Sequence, residues 1–83
     1  MSDYVVTHNV FAEALTTWKR KSEWSDQRIA DATGLHRDTV QEIRLGRNTP
    51  QWRTKVTLFE NLPGFRAFCK IHAPAALERY VEK

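Results

Sequence analysis

A single cysteine in 83 residues rules out an internal disulfide, so the chain must hold itself together by packing or by association with a second copy. Cys69 and His72 have C-x-x-H spacing, but His8 and His36 supply no second pair for a closed zinc site, and Cys69 is expected as a buried thiol on a helix. No metal or cofactor is expected. No apolar run approaches the roughly 20 residues that a spanning helix needs. The start, MSDYVVTHNV, lacks the basic-then-apolar layout of a signal peptide, and a cytoplasmic location follows as an expectation. Repeats, low-complexity stretches and linkers are missing too. No segment alternates with period two for long; Tyr4-Val5-Val6 is β-prone but brief.

What is present is the composition of an ordinary globular protein, 41% hydrophobic and 28% charged, with three Trp, two Tyr and four Phe. At this length one domain spanning 1–83 is expected, with a small core that buries only roughly 60% of the unfolded chain's surface. The net charge of +3 is unevenly spread. Residues 1–36 carry one more anion than cations, whereas Arg37, Arg44, Arg47, Arg53 and Lys55 stand against only Asp38 and Glu42. A basic middle between near-neutral ends suggests an anion-binding surface, and nucleic acid is the commonest large polyanion of a cytosol.

The apolar residues recur at helical spacing. Phe11, Ala14, Leu15 and Trp18 predict a first helix with Asn9 as cap and Lys19-Arg20-Lys21 at its end. Ser25 caps a short second helix that Gly34 ends, and Arg37 to Leu45 form a third, with Val40 and Ile43 inward and Gly46 as its stop. Thr49-Pro50 predicts a fourth start, with Pro at the first helical position and Trp52, Val56, Phe59 and Leu62 on one face up to Pro63. Phe65, Phe68, Cys69 and His72 suggest a fifth helix ending near Pro74, and Leu77, Tyr80 and Val81 a last one. The expected fold is all-α, a compact five- or six-helix domain.

Residues 26 to 47, DQRIADATGLHRDTVQEIRLGR, form the informative segment. Ala30 is small enough for close helix approach, Gly34 permits the left-handed backbone of a sharp turn, and Leu35, Val40 and Ile43 plug the corner, which are the steric conditions of a helix-turn-helix. With Leu45-Gly46-Arg47, Pro50 and the run Val56 to Leu62, the chain resembles the lambda-repressor and Cro family of DNA-binding domains over about residues 9 to 62. The region from about 64 to 83 would be a helical extension. The resemblance implies a sequence-specific double-stranded DNA-binding regulator, of the kind typical of phage or mobile-element repressors. One position departs from the pattern: the family's small polar cap of the recognition helix is His36 here, which leaves the helix start open by a residue.

Winding the third helix at about 100° per residue puts Arg37, Asp38, Gln41, Glu42 and Leu45 on the outward side. As a solvated face this is unremarkable, but in a major groove Arg37 can donate twice to guanine and Gln41 can pair with adenine. Asp38 or Glu42 can accept from cytosine, and Leu45 can touch a thymine methyl. The two acids have a second reading, pairing with Arg37 or Arg44 to hold them in register. Arg44, Arg47, Asn48 and Arg53 suit phosphates, and Gln27 resembles the family residue that meets the DNA backbone at a helix N-terminus. His36 reads as a partly buried corner residue, Trp18 and Trp52 as core, and Trp24 as a staple against Ile29 or a neighbour.

One recognition helix reads only a few base pairs, so a homodimer on paired half-sites is expected. Phe65, Phe68, Ile71, Leu77, Tyr80 and Val81 are the candidate dimer surface, unless they complete the intramolecular core. A second functional class is an antitoxin-like interaction module whose C-terminal tail binds another protein. An enzyme is not expected: there is no phosphate-binding glycine loop, Cys69 has no evident base beyond His72, and the chain is too short to surround a substrate.

Overall fold

The computed structural model describes residues 10–77 and is all-helical, with no strand among them. Five helices follow in order, α1 (Val10–Ser22), α2 (Asp26–Thr33), α3 (Arg37–Arg44), α4 (Trp52–Asn61) and α5 (Phe65–His72), and a 3-10 turn, Pro74–Leu77, comes last. Asn9 as a cap, the Tyr4-Val5-Val6 stretch, His8, and the final helix through Tyr80 and Val81 fall outside the described residues.

The apolar spacing of α1 does what its period requires: Phe11, Ala14, Leu15 and Trp18 are all buried, and Ala12 joins them. Phe11, Ala14, Leu15 and Trp18 meet Ile29 and Ala30 of α2, Val40 and Ile43 of α3, Leu58 and Phe59 of α4, and Phe65 and Cys69 of α5 in one core cluster. Aromatic rings fill much of it. Phe59 and Phe65 stack at 5.6 Å, Phe11 meets each of them edge-on at 5.6 and 5.8 Å, and Trp18 meets Phe65 at 5.8 Å. The Trp18 indole N–H donates to the Pro63 carbonyl at 3.1 Å, which satisfies a buried donor and ties α1 to the α4–α5 corner.

One helix start and one side chain differ from expectation. Helix α4 begins at Trp52, two residues past Pro50, with Gln51 as an extended N-cap that makes no side-chain bond. The fixed φ of proline suits polyproline geometry as well as a helix, and here the first helical bond runs from Lys55 N–H to the Gln51 carbonyl. His36 is the N-cap of α3, its Nδ1 accepting from the Asp38 amide at 3.4 Å. Its side chain is 78% exposed, so it does not fill the corner; capping turns it away from the Val40 and Ile43 face.

Candidate nucleic-acid interface

Helices α2 and α3 pack against each other across a three-residue connection, Gly34-Leu35-His36. Ser25 caps α2, its hydroxyl accepting from the Arg28 amide at 3.0 Å. Gly34 ends it in the left-handed region at φ 78°, its amide bonded to the Ala30 carbonyl at 2.8 Å, a conformation that a side chain would strain. Ala30 is buried and Leu35 packs against the core from the turn. The bihelical unit is therefore built as its residue types require.

The end of α3 is closed by a Schellman motif. The Gly46 amide bonds the Ile43 carbonyl at 3.1 Å and the Arg47 amide bonds the Glu42 carbonyl at 2.9 Å, with Gly46 at φ 78°. The Asn48 amide also reaches the Glu42 carbonyl, at 3.3 Å. Arg47 and Asn48 are thereby folded back beside α3, and both are exposed.

On α3 itself Val40 and Ile43 are buried, while Arg37, Asp38, Gln41 and Leu45 are exposed and Glu42 is half-exposed. The expected outward face is present as a continuous polar surface, with Leu45, 45% exposed, at its C-terminal end. The acids have partners, though not those expected throughout. Asp38 lies 3.9 Å from Arg37, and Glu42 lies 3.8 Å from Arg47 rather than beside Arg37 or Arg44. Both pairs are loose and solvated, so each is worth about 0–1 kcal/mol.

Arg44 is held by a neighbouring helix. Its Nε and Nη2 donate to the two carboxylate oxygens of Asp26 at 3.1 and 3.0 Å, and the two side chains are only 18% and 19% exposed. A planar fork on a carboxylate is strong and directional, so this guanidinium has a partner within the protein that its place on the flank of α3 did not suggest. Lys55 is turned inward as well, its ammonium over the rings of Phe11 and Trp52 at 5.5 and 5.9 Å. Arg37, Arg47 and Arg53 are the cations of the basic segment that stay exposed. Gln27 is exposed near the start of α2, and its amide donates to Asp31 at 3.0 Å.

Sequence reasoning missed Asp26, whose partner lies 18 positions away on another helix, a pairing that no local spacing rule can find. It also missed Arg28, which stacks over the Trp24 ring at 4.0 Å; a cation in the first turn of α2 and an aromatic just before its Ser25 cap were a usable signal. Trp24 packs edge-on to Trp18 at 5.3 Å, so its staple partner belongs to α1.

The candidate dimer surface divides. Phe65 is fully buried at the centre of the core and has no area left for a partner, because its ring is wedged between Phe11, Trp18 and Phe59. Phe68 and Leu77 are partly buried against the core. Phe68 also packs on His72 at 4.6 Å and lines an open groove of about 500 Å³ with Val10, Ala14 and Ala73. Ile71 is 72% exposed. Tyr80 and Val81 lie outside the described residues. Cys69 is fully buried, and loss of hydration pushes its thiol from 9.0 up to about 12. His72 is exposed and turned onto Phe68, and no group of three or more metal-ligating side chains occurs among the described residues. Among these residues no helix is long and apolar enough to cross a membrane.

No protein-family model matches the chain, and neither a curated protein nor a solved structure matches it.

Proposed function

We propose that this protein binds double-stranded DNA by laying α3 in the major groove, and that it regulates transcription by occupying an operator as a homodimer. One observation carries the reading. A polar face of Arg37, Asp38, Gln41 and Glu42 is presented by a short helix whose other face is buried, directly after a glycine turn and a capped helix. Such a face offers fork and amide groups that match base edges, while Arg47, Asn48 and Arg53 flank it for phosphates. Two copies are required for specificity, because one α3 reads too few base pairs to find a site among many. The partner-binding tail is the less favoured reading: α5 and the turn after it bury Phe65, Cys69 and Ala76 in the same core as α1 to α4, which supports counting residues 64–77 with the domain.

The test compares the protein with its Arg37→Ala Gln41→Ala variant on a duplex selected by the wild type and on a scrambled duplex. The variant should lose on the order of 1–3 kcal/mol per base contact on the selected duplex and little on the scrambled one. Equal losses on both would assign the two side chains to the phosphates and remove base reading from α3.

A further inference from the structure

We propose that Asp26 and Arg44 act as a positioning clamp on α3, making base discrimination depend on two side chains that touch neither a base nor a phosphate. The proposal rests on the DNA-binding reading above. Helix α3 is eight residues long and buries only Val40 and Ile43. Two buried anchors on one face locate a helix but leave its roll about its own axis weakly held. Arg44 closes that freedom from its last turn. The side chain reaches α2 through the two-pronged bond to Asp26, and the backbone carbonyl of the same residue accepts from the Thr16 hydroxyl of α1 at 3.1 Å. That carbonyl is one of the four at a helix end with no partner inside the helix, so the bond satisfies it while linking α3 to a third element. Arg44 is thus joined to both helices that pack on α3.

Roll matters because Arg37, Gln41 and the bases they would read must align within fractions of an ångström. Phosphate binding tolerates far more. Loosening the clamp should therefore damage discrimination and spare general affinity. Arg44 carries a second distinction: a lysine there keeps the charge but cannot reproduce the planar fork, so charge and geometry separate in one substitution.

The experiment uses the full chain, a duplex selected by the wild type from a random pool, and a scrambled duplex. Asp26→Asn, Arg44→Lys and Thr16→Val are each measured for the ratio of the two dissociation constants, for salt dependence and for melting temperature. The expected result is about a tenfold fall in the ratio for Asp26→Asn and Arg44→Lys, the size of losing one base contact, and a smaller fall for Thr16→Val. Binding to the scrambled duplex and its salt slope should not change. The Asp26→Asn Arg44→Lys double variant should be no worse than the worse single one, as for partners in one interaction. If Arg44 contacts a phosphate instead, Asp26→Asn tightens both duplexes alike, and that outcome overturns the clamp. Lowered melting temperatures with an unchanged ratio in all three variants would also overturn it, leaving a purely structural pair. A wild type that selects no duplex removes the DNA reading itself and the clamp with it, a failure distinct from the other two.

Discussion

Arg47 stands just past the glycine that ends α3, exposed, with its guanidinium 3.8 Å from Glu42, whereas Arg44 three positions earlier is locked onto Asp26 at 3.0 Å. Identical side chains so close in sequence have different surroundings because the Schellman turn reverses the chain between them. Arg47→Ala should weaken binding to every duplex alike and flatten the salt slope by about 0.9, the share of one phosphate; a loss confined to one base position would contradict that role. Cys69 gives a prediction on stability. Its folded thiol is held at about 12 against 9.0 for a free group, so the unfolded chain ionises first. The thiol's contribution is complete below pH 9.0 and is lost as pH rises toward about 12. Denaturant midpoints on either side of pH 9.0 should fall more steeply for the wild type than for Cys69→Val, and parallel curves would place the thiol in contact with water. At this scale the α3 residues were legible, since face and chemistry follow from a 3.6-residue period. The fates of Arg44 and Lys55 were not, because each depends on a neighbour brought in from another helix.

At the scale of elements, the helices were legible wherever a chemical stop coincided with the end of an apolar stripe. Ser25 and Gly34 bracket α2, and Gly46 closes α3. The start of α4 was misplaced because Pro50 is compatible with both an extended and a helical residue, and the decision fell to Gln51. The end of α1 carries no stop residue at all. Glu23 takes the left-handed conformation there, at φ 62°, which costs a residue with a Cβ about 1–2 kcal/mol. Glu23→Gly should therefore raise stability by about 0.5–1 kcal/mol after the larger entropy of the unfolded glycine is counted. Thermal melts check this directly. An unchanged or lower midpoint would mean that the Glu23 side chain makes a contact worth as much as the strain.

Taken as a whole, the molecule exposes Arg37, Arg47 and Arg53 of its basic middle segment on α3, the turn after it and the start of α4, while α5 presents an isolated apolar residue, Ile71, to solvent. Ile71→Asp tests whether that helix joins two copies. It should leave the melting temperature unchanged, since the side chain is 72% exposed, and convert a two-copy DNA complex to a one-copy complex in sedimentation. Retention of two copies would move the dimer contact elsewhere. The assignment of Phe65 to core or interface was illegible in the sequence, because an apolar stripe looks the same facing a neighbour helix or a neighbour chain; only its three ring partners decide it. The central claim, that α3 reads bases, is tested most directly by selecting bound duplexes from a random library with the purified protein at near-physiological salt. The account predicts enrichment of an inverted repeat with half-sites about 10 base pairs apart. Enrichment of no sequence would contradict it, leaving a basic surface that binds without choice.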